Sequence, residues 1–192
     1  IDLEHGPMSV ETASLCMMAL RGTGTRAWVR VPEASEAAIK RALDAGAAGI
    51  MVPNVPDAAT AERISRWFHY APLGQRGRAP DIIRASGYGR DSTYLSGWPG
   101  DHQLILQIET PEALSAAAGF ALDDPRVRTA AAGVAEVAQS AGKAAGTIVF
   151  PGADAGTLSA AGYGYLAVAS DVIALRTAVD ATLATAREGI RS

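Results

Sequence analysis

Short apolar runs alternate with longer alanine-rich stretches along most of the chain. The short runs are β-branched or aliphatic, which favours strands, and the longer stretches begin at capping residues such as Ser35 and Asp57 and end at glycines such as Gly46. We predict strands at residues 1–3, 27–31, 49–52, 104–108, 147–150 and 165–169, and helices at residues 10–20, 35–45, 58–68, 111–119, 125–141, 152–160 and 171–188. This alternation is typical of an α/β fold, in which crossover helices join parallel strands.

The segment from residue 70 to residue 100 breaks this alternation. It is rich in glycine, proline and arginine and shows little periodicity, so we predict a long loop that faces a substrate or covers a site at the mouth of a barrel. A second irregularity lies between residues 109 and 147, where two predicted helices follow one another with no strand between them. Because a crossover normally returns to the sheet after one helix, a strand is missing from the pattern there.

Composition restricts the class of protein. The 192 residues suffice for one large core, and we expect a single domain over residues 1–192. A formal net charge of -3 with scattered Lys and Arg disfavours nucleic acid as a partner. The single cysteine, Cys16, lies among apolar residues and is expected to fill the core. Because the sequence shows neither a membrane-spanning stretch nor a signal peptide, we expect a cytoplasmic protein. Because the chain begins within a predicted strand, we expect further residues upstream.

Ionisable side chains cluster in and directly after the first predicted strand. Asp2, Glu4 and His5 come directly before a Gly-Pro turn. Asp2 and Glu4 share one face of an extended segment, and the turn brings His5 over the end of the strand. An imidazole beside two carboxylates can act as a general base near neutral pH, whereas the alternative is a capping histidine with a structural hydrogen bond.

Four more polar residues stand at or near the ends of predicted elements. Arg30 ends an apolar strand, and it requires either a bound carboxylate or a carboxylate of the protein as its partner. Gln107 and Glu109 follow a second apolar strand, and Glu109 either pairs with an arginine or holds a hard divalent cation through oxygen. Asp44 stands near the end of a helix, where its charge is unfavourable unless it contacts a specific partner.

The long loop offers weaker candidates. Its Gly-Gln-Arg-Gly sequence around Arg76, together with Arg84, is compatible with an anion site and equally with ordinary turns. His69 and His102 flank the loop and are expected at the surface. These residues alone assign no activity.

Seven short motifs follow one another along nearly the whole chain. They are Asp2-x-Glu4-His5-Gly6, Val29-Arg30-Val31-Pro32, Gly49-Ile50-Met51-Val52-Pro53, Gly74-x-Arg76-Gly77, Arg84-Ala85-x-x-Tyr88-Gly89, Gln107-Ile108-Glu109-Thr110 and Val168-Ala169-Ser170-Asp171. Together they resemble the HpcH/HpaI aldolase family. The resemblance implies a TIM-type (β/α)8 barrel, a divalent metal cation (Mg2+, Mn2+ or Co2+) and reversible cleavage of 4-hydroxy-2-oxo acids to pyruvate and an aldehyde. It also implies a homo-oligomer, a trimer or hexamer, in which neighbours exchange the C-terminal helix.

The resemblance assigns roles to individual residues. Glu109 matches the glutamate that binds the metal, and Arg30 matches the arginine that holds the pyruvate oxygens. His5 matches the histidine that drives proton transfer, through a metal-bound water. Asp2 and Asp44 match aspartates that support this histidine, one of them across a subunit boundary.

The chain also departs from the family pattern. Gln107 matches a residue that lines the site. The family also has a strand that ends in Gly-Pro-x-Asp and carries the second metal ligand. This strand has no counterpart between Glu109 and Thr147. The family's first strand is absent too, so we expect a barrel that lacks two strands within these 192 residues. Two other functions stay open, which are a citrate-lyase or malyl-CoA type lyase and a non-catalytic oligomeric barrel that binds small oxo acids.

Overall fold

The computed structural model describes residues 1–108, 125–149 and 154–191. Along these residues the elements are α1 (Val10–Ala19), β1 (Trp28–Arg30), α2 (Glu36–Asp44), β2 (Gly49–Val52), α3 (Ala58–Phe68), β3 (Gln103–Leu106), α4 (Pro125–Ser140), β4 (Ala145–Ile148), α5 (Ala155–Ala160), β5 (Tyr163–Ala167) and α6 (Asp171–Arg191). The chain forms two compact units, Ile1–Leu114 and Ser115–Ser192. The paired strands are parallel in both units, which confirms the α/β class, while the single eight-stranded barrel stays a prediction.

Most predicted elements are confirmed within a few residues of their expected bounds. The bounds of α3 and β2 are those predicted. β4 and β5 each begin two residues earlier, because their ladder starts at Ala145 and Tyr163 with a register shift that hydropathy does not mark. The predicted strand at 1–3 forms a single bridge, between Asp2 and Arg30. The predicted helix at 111–119 lies outside the described residues.

The first unit is built on a three-stranded parallel sheet in the order β1-β2-β3. Residues 1–3 extend this sheet beyond β1, because the Leu3 N–H donates to the Arg30 carbonyl oxygen and the Arg30 N–H donates to that of Ile1, both at 2.9 Å. Buried residues of α1, α2 and α3 and the inner residues of the strands form one core, whose largest almost fully buried side chains are Val29, Val31, Ile39, Leu43, Ile50, Val52, Ile64 and Phe68. The parallel strands therefore end at one edge, the carboxyl edge, which carries Asp2, Arg30 and Gln107.

Residues 70–100, all of them described, form turns without a helix or strand, which confirms the predicted loop. The loop follows α3 and leads into β3. Because a crossover helix runs antiparallel to the strands that it joins, this loop lies at the amino edge of the sheet, whereas barrels bind substrates at the carboxyl edge. The prediction that it covers the mouth of a barrel is therefore wrong. Its interior is a buried cluster of Tyr70, Ile83 and Tyr94, with Trp98 packed against them.

The second unit contains a two-stranded parallel sheet, β4-β5, with α4, α5 and α6. Its small core consists of Ala135, Ala145 and Tyr163. Helix α6 carries exposed apolar side chains, which are Val172, Ile173, Leu175, Val179 and Leu183. Contiguous apolar surfaces of this kind mark contact sites. Across the described ranges, no helix combines the length and the apolar character that crossing a lipid bilayer would require.

Candidate active site

Arg30 is the centre of a charged cluster at the carboxyl edge of the first unit's sheet. Its Nε donates to Oδ1 of Asp2 at 2.8 Å and its Nη2 donates to Oδ2 at 2.5 Å, so the two side chains form a bidentate pair. Its Nη1 lies 2.9 Å from Oε2 of Glu4. Of the two kinds of partner that the sequence leaves open, the structure therefore shows protein carboxylates. The Arg30 side chain remains 23% exposed, so the cluster borders solvent.

Strand geometry explains why these charges meet. Val29 and Val31 are completely buried and point to the opposite side from Arg30, because side chains alternate along a strand. The bridge between Asp2 and Arg30 places the two residues side by side on neighbouring segments.

His5 lies in the turn that follows this cluster. Oδ1 of Asp2 accepts the backbone N–H of Glu4 at 3.0 Å and that of His5 at 3.5 Å. A Cβ atom at Gly6 would overlap the Asp2 carbonyl oxygen, so the turn requires glycine. The His5 ring is 76% exposed, and its Nε2 lies 3.7 Å from Oε2 of Glu4. Asp2 thus orients His5 through the main chain, while Glu4 is the carboxylate beside the ring.

Asp2 acts here as a fixed negative charge. Its hydrogen bonds from the Arg30 side chain lower the pKa of Asp2 to about 2, and the backbone N–H groups of Glu4 and His5 act in the same direction, while desolvation opposes them. Asp2 therefore stays ionised near neutral pH. It cannot accept a proton there, and it contacts His5 through the hydrogen bond from the His5 backbone N–H.

This low pKa predicts a pH dependence of stability. Because the folded-state pKa of Asp2 lies below its ordinary value of about 4, the carboxylate stabilises the fold above about pH 4, and this contribution is lost as the pH falls towards 2. Urea unfolding should show Asp2→Asn less stable than the unchanged protein at pH 6, with the difference shrinking between pH 4 and pH 2. Asp101→Asn is the matched control, because Asp101 is 91% exposed and lies 3.8 Å from Arg26. A difference for Asp2→Asn that is constant over this range would contradict the paired, low-pKa carboxylate.

The expected metal ligand, Glu109, lies outside the described residues. Gln107 is held at the end of β3 by main-chain bonds, because its N–H donates to the carbonyl oxygen of Val52, the last residue of β2, and its carbonyl oxygen accepts the N–H of Val55. Within the described ranges, no three His, Cys, Asp or Glu side chains come together as a metal site. The two carboxylates at this edge, Asp2 and Glu4, contact Arg30 instead. The sequence prediction that Glu109 provides the metal's oxygen ligand therefore stays a prediction.

Asp44 lies at the opposite edge of the sheet. It is the last residue of α2, and its carbonyl oxygen accepts the N–H of Ala85 at 3.1 Å. Its Oδ1 accepts a hydrogen bond from Nη2 of Arg76 at 2.6 Å. The structure does not bring Asp44 to His5 within one chain. The predicted support of His5 by Asp44 is therefore possible only between two copies of the chain.

Arg76, which the sequence offered only as part of a weak anion site, is buried. Its guanidinium carbon lies 4.6 Å from the centre of the Tyr70 ring and 4.5 Å from that of Trp98. Its Gly-x-Arg-Gly motif does not indicate this burial. The aromatic residues around the loop are the one feature of the sequence that indicates a buried cluster there. His69 and His102, which we expected at the surface, are only partly exposed, and burial lowers the pKa of each ring.

A comparison with protein families decides where this chain belongs. The family model for HpcH/HpaI aldolase/citrate lyase matches residues 1–146, which include β1, β2, β3 and the Arg30 cluster. The chain belongs to the HpcH/HpaI aldolase/citrate lyase family. The resemblance that the sequence motifs indicate is thereby confirmed.

Individual relatives of this HpcH/HpaI protein agree with the assignment. It is 29% identical over 208 residues to the 2-keto-3-deoxy-L-rhamnonate aldolase of Salmonella gallinarum (strain 287/91 / NCTC 13346), covering 96% of this chain and 78% of the relative. It is 28% identical to an HpcH/HpaI aldolase/citrate lyase family protein from Burkholderia cenocepacia J2315, with a TM-score of 0.85 and coverage of 97% and 84%. The fold also matches an HpcH/HpaI aldolase from Desulfitobacterium hafniense DCB-2 at 24% identity, with a TM-score of 0.85 and coverage of 97% and 82%. The protein is thus a carbon–carbon lyase of the aldolase kind.

Proposed function

We propose that this HpcH/HpaI protein is a metal-dependent class II aldolase that reversibly cleaves 4-hydroxy-2-oxo acids to pyruvate and an aldehyde, on a (β/α)8 barrel. The observation that carries the proposal is the Arg30 cluster, an oriented guanidinium at the carboxyl edge of parallel strands. The substrate class is supported by the Salmonella relative, whose named substrate is a 2-keto-3-deoxy sugar acid. Such an acid has a 2-oxo group and a 4-hydroxyl group.

Arg30 is expected to hold the oxygens of the oxo acid. A guanidinium offers coplanar N–H donors that match carboxylate and enolate oxygens. Its bidentate contact with Asp2 fixes the guanidinium plane before substrate arrives. Donors that are already oriented need little reorganisation when negative charge develops on the pyruvate fragment.

The divalent cation would be held by Glu109, because a carboxylate oxygen suits Mg2+ and Mn2+. When bound, such a cation supplies the Lewis acid that stabilises the enolate. The alignment with the Salmonella relative extends over 208 residues, more than the 192 of this chain, so the matched part of the relative contains residues with no counterpart here. The absence that we predict between residues 109 and 147, of the segment with the second metal-binding aspartate, would account for such residues.

His5 is expected to accept the proton of the 4-hydroxyl group as the C3–C4 bond breaks, and to return a proton to the pyruvate fragment. Its exposed ring beside Glu4 leaves room for a substrate at this edge. Gln107 lines the same edge. Because Asp44 lies at the opposite edge of the sheet, it supports His5 only if copies of the chain assemble as a trimer or hexamer. The exposed apolar face of α6 supports such an assembly.

Metal removal tests the proposal directly. The full-length protein, supplied with Mg2+ or Mn2+, is expected to release pyruvate from 4-hydroxy-2-oxo acids, and EDTA should abolish this release until metal is added back. Glu109→Gln should weaken metal binding in a titration, whereas Glu136→Gln, at an exposed position of α4, should leave it unchanged. Activity that survives EDTA would contradict the metal mechanism.

The same assay separates the alternatives. Cleavage of a coenzyme A thioester, with no cleavage of the free acid, would identify a malyl-CoA type lyase. Binding of pyruvate without turnover, in a chain loaded with metal, would identify a non-catalytic barrel.

A further inference from the structure

A surface cavity of about 380 Å³ lies at the amino edge of the first unit's sheet, and we call it the amino-edge cavity. Three connections that each lead from a helix into a strand form most of its wall. They contribute residues between 20 and 27 before β1, Gly46 and Ala48 before β2, and Arg84 of the long loop before β3. Parallel strands begin at this edge, so the cavity lies at the opposite end of the strands from the Arg30 cluster.

The amino-edge cavity is basic, although the protein carries a formal net charge of -3. Of the described residues that line it, three are arginines, Arg21, Arg26 and Arg84, and none is an aspartate or a glutamate. Guanidinium groups around one cavity repel one another, and an anion between them relieves this repulsion. The cavity is therefore complementary to a negatively charged ligand.

Arg84 is anchored against the backbone of the neighbouring connection. Its Nη1 donates to the carbonyl oxygen of Ala45 at 2.7 Å. A Cβ atom at Gly46 would lie 2.5 Å from the same Nη1, and Gly46 has a φ of +101°, so both the close approach and the backbone conformation require glycine. No described residue accepts a hydrogen bond from Nε or Nη2 of Arg84. The guanidinium is thus held by one nitrogen and keeps further donors for an anion.

The other two arginines are weakly neutralised. Nη2 of Arg26 donates to the backbone carbonyl oxygen of Asp101 at 2.7 Å, which is an uncharged acceptor. Its Nη1 lies 3.8 Å from the Asp101 carboxylate, and because both side chains are exposed this ion pair contributes little. Within the described ranges, no residue accepts a hydrogen bond from the side chain of Arg21. Both positive charges therefore remain available to a ligand.

The size and lining of the cavity indicate the class of anion. Cavities of about 300 to 1,000 Å³ hold small organic ligands, so this one has room for more than an inorganic ion. A phosphate monoester carries nearly two negative charges at neutral pH and several strong acceptor oxygens, which suits three guanidinium groups better than one carboxylate does. Met17 and Leu20 supply an apolar part of the wall, and Thr25 supplies a hydroxyl, for the organic part of such an ester.

We propose that the amino-edge cavity is a binding site for a small organic phosphate monoester, in which Arg84 is the anchored donor and Arg21 and Arg26 complete the positive surface. The site is separate from the Arg30 cluster. It does not depend on the proposed aldolase reaction, because the property that it predicts is binding and not turnover. The failure of one proposal would leave the other standing.

Calorimetric titration of the full-length protein tests the site, with glycerol 3-phosphate as the probe. We expect saturable binding that weakens as NaCl is raised, because salt screens exposed charges. Glycerol, which lacks the phosphate, should not bind, and inorganic phosphate should bind more weakly because it leaves the apolar wall uncovered. If glycerol 3-phosphate did not bind, or bound no better than inorganic phosphate, the ester site would be refuted.

Substitution of the anchored arginine locates the binding. Arg84→Met should weaken the affinity for glycerol 3-phosphate by about tenfold or more, because a hydrogen bond to a charged group is worth that much. Arg90→Met is the matched control, since Arg90 is an exposed arginine of the same loop whose Nη1 also donates to a backbone carbonyl oxygen, that of Gly87 at 3.2 Å. It does not line the cavity and should keep the original affinity. Equal affinities of the two variants would overturn the proposal.

Two further variants separate binding from folding and from the candidate active site. Arg21→Met changes an exposed side chain that makes no described contact, so it should leave urea unfolding unchanged and weaken the affinity about threefold. Arg30→Lys should keep the full affinity, because Arg30 lies at the carboxyl edge. Original affinity in Arg21→Met, or loss of binding in a folded Arg30→Lys protein, would show that the ester binds elsewhere and would overturn the proposal.

Discussion

Replacing Arg30 with lysine is expected to lower kcat/KM for cleavage of a 4-hydroxy-2-oxo acid by about 100-fold or more, because one oriented donor to a developing negative charge is worth that much. Lysine keeps the positive charge beside Asp2 and Glu4, but it lacks the coplanar N–H donors that make two parallel hydrogen bonds to a carboxylate. Pyruvate release followed at several substrate concentrations measures the loss. Circular dichroism and urea unfolding establish that the variant is folded.

Arg26→Lys is the matched control for this substitution. Arg26 is also an arginine near the β1 strand, but its side chain is 48% exposed and lies 3.8 Å from the carboxylate of Asp101. Its replacement should change kcat/KM by less than about twofold, because an exposed ion pair contributes little. If Arg30→Lys were as active as Arg26→Lys, Arg30 would have only the structural role of pairing Asp2 and Glu4.

The largest expected loss of stability follows from removing the partner of the buried guanidinium. Asp44→Ala should lower the free energy of unfolding by about 3 kcal/mol, because it leaves Arg76 buried without a compensating charge. The double variant Asp44→Ala with Arg76→Met should be more stable than Asp44→Ala alone, since an apolar side chain between Tyr70 and Trp98 needs no partner. Urea unfolding at pH 7 compares the variants.

Glu11→Ala is the matched control for the stability experiment. Glu11 also pairs with an arginine, Arg41, at 3.0 Å, but both side chains are largely exposed. Its removal should leave the free energy of unfolding nearly unchanged. Equal losses for Asp44→Ala and Glu11→Ala, or a double variant less stable than Asp44→Ala, would contradict a desolvated Arg76.

The chemistry at the carboxyl edge was largely predictable from the chain. Arg30 and Gln107 each follow an apolar run and Asp2 lies in the first predicted strand, and parallel strands bring such positions to one edge. The pairing of Arg30 with a carboxylate of the protein is one of two alternatives that the sequence leaves open, because sequence does not show which residues stand opposite each other in neighbouring strands. The register of the bridge between Asp2 and Arg30 decides this.

The chemistry at the amino edge was not predictable in the same way. Arg76 lies in a loop with no periodicity, and its burial depends on ring positions more than twenty residues apart in the chain, at Tyr70 and Trp98. The negative charge of Asp44 is unfavourable at the end of a helix, and its partner, Arg76, lies 32 residues further along the chain. Such contacts depend on packing between distant segments, about which local composition says little.

The sequence by itself determined the α/β class, the bounds of elements such as α3 and β2, and the family, because periodicity and ordered motifs are local properties of the chain. Only the tertiary structure decided which carboxylates neutralise Arg30, on which edge the long loop lies, and that Asp44 is tied to a buried arginine away from His5. The physical reason is that charge pairing and desolvation depend on distances between segments, which are fixed only when the chain packs.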